Sequence, residues 1–209
     1  MKVTAPLFSF DASGTLGGII TASKWRGRQY FRTRVIPSNP RSAGQTGIRA
    51  MWQFLSQQWA PSVDPGDQAT WEDPAASDNV TSFNAYMRNN IRDWRSSLAP
   101  GMAFPVTRDL APGTLGSVTT TVQGRNVNLD YAVTPNGDEW GLAICRSTIT
   151  GFTPDWSNTT KVLNAMTSPT QLQYTDGPLD PGTYFYSGFL FSTNGEQSAA
   201  VTEDSAVVT

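Results

Sequence analysis

The pattern of apolar and polar positions changes its period near residue 100. Between residues 42 and 98, apolar side chains recur every three or four positions, which is typical of amphipathic helices. Beyond residue 105 they alternate with polar ones in short runs separated by turn signals such as Asn194-Gly195, which is typical of β-strands. We therefore predict an α+β domain over residues 1–100 and an all-β sandwich over residues 101–209, joined by a linker at Ala99-Pro100-Gly101.

Three short helices are predicted in the first domain. The first begins near Ser42, which fits a capping box with Gln45, and ends at Pro61. The second begins at Asp64-Pro65, with Asp as the N-cap and Pro as the first helical residue. The third covers about residues 80–98. Four tryptophans are expected to meet in a small helical core: Trp52, Trp59, Trp71 and Trp94.

A β-hairpin arm is predicted between Gly14 and Pro37, with its turn at Arg26-Gly27. Side chains two residues apart on a strand lie on the same face, so Tyr30, Arg32 and Arg34 are expected to form a basic ridge. The candidate partner-binding residues come from this arm and from the segment after it: Lys24, Trp25, Arg26, Arg28, Tyr30, Arg32, Arg34 and Arg41.

The charge of the chain is divided unevenly between the two halves. Residues 1–100 hold 11 basic and 7 acidic residues, whereas residues 101–209 hold 4 and 10. No acidic residue occurs from Ala12 to Val63, so the arm is expected to meet an anionic surface. The net charge of −2 and the pI of about 5.1 argue against a dedicated nucleic-acid-binding protein.

The chain lacks the residues of the commonest catalytic and metal sites. It has no histidine and a single cysteine, Cys145, which we expect to be a small buried packing residue. We therefore predict no catalytic residue, no metal, no cofactor and no enzymatic activity. Three pairs of adjacent carboxylates lie beside turn or terminus signals and are expected to be solvated: Glu72-Asp73, Asp138-Glu139 and Glu203-Asp204.

The second half resembles the fibronectin type III and related immunoglobulin-like modules. The resemblance is carried by Val127-Asn-Leu129-Asp-Tyr131 and by Leu179-Asp-Pro-Gly-Thr183 leading into Tyr184-Phe-Tyr186. In that family a tryptophan often stands in place of Tyr131. Phe185 takes the position of the family's corner tyrosine, so it would lack the hydroxyl that fixes the corner. The resemblance implies an immunoglobulin-like β-sandwich and implies nothing specific about function.

The first half resembles a group of phage and prophage proteins. The residues that carry this resemblance are Gly14-Thr-Leu-Gly-Gly18, the run from Lys24 to Tyr30, and Asn39-Pro-Arg-Ser-Ala-Gly-Gln45. It implies a virion structural protein, made in the host cytoplasm, and we find neither a signal peptide nor a membrane span in the sequence.

Within a particle, we expect a decoration or cement protein on the head. Its partner would be the major capsid protein, it would be present in many copies or as a homo-oligomer, and its sandwich would face outward. A structural protein of the tail or neck is the first alternative. The second is a carbohydrate-binding adhesion module that stacks sugars on exposed aromatic residues of the sandwich, with four candidates: Trp140, Trp156, Tyr184 and Tyr186.

Overall fold

The computed structural model describes residues 2–3, 12–16, 19–26, 28–36, 42–166 and 170–209. The chain divides into two compact units, Met1–Pro40 and Arg41–Thr209. The first unit is an antiparallel sheet in which neighbours in sequence are neighbours in space. Its strands are β1 (Lys2–Val3), β2 (Ala12–Leu16), β3 (Ile20–Trp25) and β4 (Arg28–Thr33).

The predicted hairpin corresponds to β3 and β4. Trp25 pairs with Arg28 at its end, and Arg26 in the turn has a φ of 47°. Such left-handed backbone is what a two-residue hairpin turn of type I′ requires. The part of the predicted hairpin before its turn, from Gly14 to Trp25, is not one strand, because β2 ends at Leu16 and β3 begins at Ile20.

The second unit begins with four helices, one more than predicted in this region, because the second predicted helix is two. They are α1 (Ala43–Gln58), α2 (Pro65–Thr70), α3 (Glu72–Asp78) and α4 (Ser82–Arg95). Asp64 is the N-cap of α2, where its Oδ1 accepts a hydrogen bond from the Asp67 N–H at 3.0 Å. Ser42 is the N-cap of α1, but its side chain makes no capping hydrogen bond there.

Two antiparallel sheets follow the helices, which confirms the predicted mixed fold with a β-sandwich. The smaller has the strand order β5 (Thr114–Gln123), β6 (Asn126–Thr134), β9 (Gln171–Asp176). The larger has the order β11 (Asp204–Val208), β10 (Gly182–Ser192), β7 (Glu139–Ser147), β8 (Thr159–Asn164). The two sheets share an apolar core that includes Leu129, Tyr131, Leu142 and Leu190.

The larger sheet is buried on both faces, so β7 has seven consecutive buried residues. Leu142 faces the smaller sheet, whereas Ala143 faces a core shared with the helices. Simple alternation along β7 would place Trp140 on the same face as Leu142, but it belongs to the helical core. The reason is a β-bulge: Gly141 pairs with Phe191 and Glu139 pairs with Ser192, which leaves Trp140 as the extra residue.

The division into units differs from the predicted boundary after Pro100. The segment predicted as a linker is buried from Ala99 to Met102. The Asn90 side chain donates to the Gly101 carbonyl at 3.0 Å and accepts from the Gly101 N–H at 2.9 Å. The Trp71 Nε1–H donates to the Met102 carbonyl at 2.7 Å. Because the helices and the larger sheet share one core, this segment crosses the interior of the second unit.

Trp52 does not join the helical core, contrary to the prediction. Its side chain is 53% exposed, whereas Met51 and Phe54 are buried. The buried positions of α1 recur every three or four residues along one face of the helix, and Trp52 lies beside that face. Trp59 packs on the edge of the core, and Trp71 and Trp94 are fully buried in it.

Candidate functional site

The candidate surface is the hairpin of β3 and β4 in the first unit. Tyr30 pairs with Ser23, and Arg32 pairs with Thr21. Since side chains alternate along a strand, Arg28, Tyr30 and Arg32 lie on one face of this hairpin. All three side chains are exposed, so two guanidinium groups and an aromatic ring are presented together.

The opposite face of the hairpin carries apolar residues along with polar ones. Ala22 pairs with Phe31, and Ile20 pairs with Thr33. Phe31 is 55% exposed, so a large aromatic ring lies open to solvent on this face. Three more apolar side chains are exposed at the base of the hairpin: Ile19, Val35 and Ile36.

The remaining predicted site residues occupy several different positions. Lys24 pairs with Gln29, which places it on the face of Phe31 and not with the basic ridge. Arg34 follows the end of β4, and its N–H donates to the Ile19 carbonyl at 2.6 Å. Arg26 lies in the turn. The Trp25 side chain and the whole of Arg41 lie outside the described residues.

Sequence reasoning found the cationic residues of this surface and expected apolar contacts from the hairpin, with Phe31 and Val35 on one face. It did not name Ile19 or Ile36 as exposed side chains. The signal was available, because the hairpin is short and too thin to bury several large side chains itself. Exposed apolar groups beside arginines are typical of surfaces that bind another macromolecule.

Glu139 is a buried carboxylate, which corrects the prediction that the Asp138-Glu139 pair is solvated. Burial raises the pKa of Glu139, but backbone hydrogen bonds outweigh it and hold the pKa below its ordinary value. Oε1 accepts from the N–H groups of Asn136 at 2.6 Å and Gly113 at 2.9 Å, and Oε2 accepts from Gly137 at 3.1 Å. The carboxylate therefore joins two loops and serves the fold.

The depressed pKa of Glu139 predicts a pH-dependent contribution to stability. This contribution is present above the unfolded-state pKa of about 4.3 and is lost as the pH falls through the lower folded-state pKa. We expect Glu139→Gln to lower the free energy of unfolding by about 2 kcal/mol at pH 7. The difference in the free energy of unfolding between this variant and the wild type should become smaller as the pH is lowered. Urea unfolding between pH 7 and pH 3 measures this difference, with Asp138→Asn as the control. If the free energies of unfolding of the wild type and E139Q changed in parallel with pH, the proposed contribution of Glu139 would be contradicted.

Two of the four aromatic residues predicted to stack on sugars are buried. Trp140 and Tyr186 have no exposed surface and cannot form a platform on the sandwich. Tyr184 is half-buried, with the Arg146 guanidinium carbon 5.5 Å from its ring centroid. Trp156 is half-buried and packs against the helical core. Burial therefore excludes Trp140 and Tyr186 as sugar-stacking residues, whereas Tyr184 and Trp156 keep part of their surface exposed.

Cys145 is buried, as predicted. Its Sγ lies 3.4 Å from the Thr159 hydroxyl, and burial raises the pKa of its thiol to about 12. The thiol is therefore protonated at neutral pH and is a poor nucleophile. Within the described ranges, no three Cys, Asp or Glu side chains lie close enough together to hold a metal ion. No helix in these ranges is long and apolar enough to cross a membrane.

No protein-family model and no curated protein matches the chain. Among solved structures, a family 76 glycoside hydrolase from a bovine Bacteroides thetaiotaomicron strain aligns with a TM-score of 0.39 and 20% identity, over 47% of this chain and 20% of that one. The pectate lyase PelI from Erwinia chrysanthemi aligns with a TM-score of 0.33 and 18% identity, over 43% of this chain and 26% of that one. The chain thus spans about a fifth of the length of the first structure and about a quarter of the length of the second.

Proposed function

We propose that this protein is a non-enzymatic structural component of a phage particle, and that it decorates the assembled head through the hairpin of β3 and β4. The observation that carries the proposal is the exposure of arginines and large apolar side chains together on this hairpin. Val35 is 73% exposed and Ile36 is 76% exposed, close to Arg34 in the sequence. The major capsid protein is the proposed partner.

The described part of the first unit is a single layer of β-sheet, which is why we propose that it needs a partner. A sheet of this size is stable when an apolar face is covered by another layer. Of the side chains that the structure describes in this unit, Ala22 alone is buried. Because Phe31 lies on the face opposite to Arg28 and Arg32, the capsid would receive the hairpin in a groove, with one wall covering Phe31 and the other placing acidic groups against the arginines. Because such binding favours the assembled shell, it would stabilise the head by mass action.

For the second unit we propose a fibronectin type III-like module carried by the helical region. Seven strands are divided three and four between two antiparallel sheets, which supports this. The Tyr184 hydroxyl donates to the Asp180 carbonyl at 2.9 Å, at the corner that leads into β10. Phe185 lacks a hydroxyl, as predicted, but the neighbouring Tyr184 supplies a hydrogen bond of the tyrosine-corner kind. Such a module would project from the particle as an outer domain.

The test compares two triple charge reversals in a phage whose gene for this protein is deleted and supplied in trans. Arg28, Arg32 and Arg34 are changed to Glu in the hairpin, and Arg88, Arg92 and Arg95 are changed to Glu on α4 as the matched control. All six side chains are exposed, and both variants change the formal charge equally. We expect the hairpin variant to reach purified particles at least about tenfold less than wild type. Undiminished incorporation of that variant would refute the proposed surface.

Immunogold labelling with antibodies against residues 103–209 tests the position in the particle. We expect gold over the heads, with the second unit accessible. Gold confined to tails would replace the head assignment with the tail or neck alternative. Absence of the protein from purified particles, measured by mass spectrometry, would reject a virion component altogether. Circular dichroism of both triple variants shows whether they keep the fold.

A further inference from the structure

The open edge of the smaller sheet carries a further inference, which does not depend on the proposed virion role. β9 is the edge strand, since the order in this sheet is β5, β6, β9. The Val133 N–H donates to the Thr170 carbonyl at 3.1 Å, and the register then continues along β9 without a bulge. Because hydrogen-bonded pairs alternate in an antiparallel ladder, the backbone N–H and C=O groups of Gln171, Gln173 and Thr175 point away from β6.

Within the described ranges, these outward groups of β9 form no backbone hydrogen bond. The edge strand of the larger sheet on the same side of the strand order, β8, is different, because α1 packs against it. A row of unpaired backbone groups is a template for another strand. The edge of β9 is therefore the place where the sandwich can accept one.

The exposed side chains of β9 are held over β6 and do not shield the edge. Gln171 Nε2 donates to Asp130 Oδ2 at 2.8 Å, and Gln173 Nε2 donates to the same oxygen at 3.3 Å. The Thr175 hydroxyl donates to Asn128 Oδ1 at 2.8 Å. β9 also contains none of the Lys or Pro residues that commonly protect an edge strand.

The distribution of charge makes a second copy of this chain the partner that fits this edge. The second unit holds nine basic and 16 acidic residues, so two copies repel each other over most of their surface. The exposed face of β9 is neutral. Asp176, its one charged residue, lies on the opposite face and pairs with Arg146 at 2.6 Å. Two copies can therefore meet at β9 without placing like charges opposite each other.

We infer that β9 pairs with β9 of a second copy, so that the two smaller sheets become one continuous sheet. The pairing is antiparallel about a two-fold axis at Gln173. Gln173 then lies opposite Gln173, and Gln171 of each copy lies opposite Thr175 of the other, which gives roughly six backbone hydrogen bonds. On the core side, buried Leu172 packs beside half-buried Tyr174 of the second copy, which removes more apolar surface from water.

The dimer is expected to be weak, because one pair of strands buries much less surface than a stable interface does. We expect a Kd of about 100 μM. Sedimentation velocity of the full chain, from about 10 μM to about 1 mM, measures the equilibrium between monomer and dimer.

Two lysine substitutions test the position of the contact. Gln173→Lys places like charges opposite each other at the two-fold axis, so we expect it to raise the Kd at least about tenfold. Thr121→Lys is the matched control: it adds the same charge to the same exposed face, but on β5, with β6 between it and the edge. We expect its Kd to equal that of the wild type. Circular dichroism verifies that both variants are folded.

A cross-linking measurement tests the register. A cysteine at position 173 would lie beside its equivalent in the second copy, whereas Cys145 is buried in every variant. We expect a short bismaleimide to join Gln173→Cys chains into dimers at least about tenfold faster than Thr121→Cys chains at the same concentration.

Three results would overturn the inference. A wild-type chain that stays monomeric at about 1 mM would leave the edge to a strand from a different protein. Undiminished dimerisation of Gln173→Lys would assign self-association to another surface, such as the hairpin of β3 and β4. Equal cross-linking of the two cysteine variants would exclude the pairing at Gln173.

Discussion

Replacing Gly47 by alanine is expected to lower the free energy of unfolding by about 2–3 kcal/mol, although alanine is the better helix former. Gly47 is buried in α1, where a Cβ would point at the backbone carbonyl of Trp156. The added atom would lie well inside the 3.0 Å below which Cβ atoms are essentially never found. Because the obstacle is backbone and not a flexible side chain, the helix has to move away from the loop before β8.

Gly44 gives the matched control for this substitution. It lies one turn earlier in α1, and a Cβ there would meet the ring of Trp156 at 3.5 Å, which is ordinary contact. Gly44→Ala should therefore leave stability unchanged or raise it by up to about 1 kcal/mol. Urea unfolding followed by circular dichroism measures both variants. A Gly47→Ala protein as stable as the Gly44→Ala protein would contradict the close approach of α1 to Trp156.

Local signals in the sequence predicted local structure well. Asp64-Pro65 begins a helix, Arg26 lies in a hairpin turn, and the short alternating runs beyond residue 105 form strands of two antiparallel sheets. Each of these features depends on residues adjacent in sequence, such as a side chain that caps the next turn. For that reason a single sequence is sufficient to find them.

The errors in the fold have a common cause in long-range packing. The Pro and Gly residues around Pro100 predict a linker. The segment is buried because the Asn90 side chain, which is distant in the sequence, hydrogen-bonds to Gly101. The bulge that turns Trp140 toward the helices depends on how β7 pairs with β10. Trp52 is an apolar residue in a helical run, but the face of α1 that packs on the core passes beside it and leaves it exposed.

The same distinction between local and long-range features applies to the candidate functional residues. A run without acidic residues pointed to Arg28 and Arg32, because charge along the chain is visible in the sequence. Nothing in the sequence distinguishes a tryptophan whose N–H has an acceptor, such as Trp71, from one whose N–H has none.

Replacing Asp176 by alanine is expected to destabilise the second unit by about 3 kcal/mol. Asp176 in β9 accepts from the Arg146 guanidinium in β7 at 2.6 Å, so the ion pair joins the two sheets. The Tyr186 hydroxyl donates to the same Oδ2 at 3.0 Å, and burial raises the pKa of Tyr186 well above its ordinary value. Without the carboxylate, a mostly buried guanidinium and a buried hydroxyl both lose their acceptor.

Asp180→Ala is the matched control, because it breaks an ion pair with Arg125 of the same 2.6 Å length. The Asp180 side chain is 91% exposed, so its loss should change the free energy of unfolding by less than about 1 kcal/mol. Urea unfolding of the two variants compares the loss of a mostly buried ion pair with the loss of an exposed one. Tyr186→Phe and the double variant with Asp176→Ala give the coupling between hydroxyl and carboxylate, which should be at least about 0.5 kcal/mol. Equal losses for D176A and D180A would show that the ion pair between the sheets behaves as a surface pair.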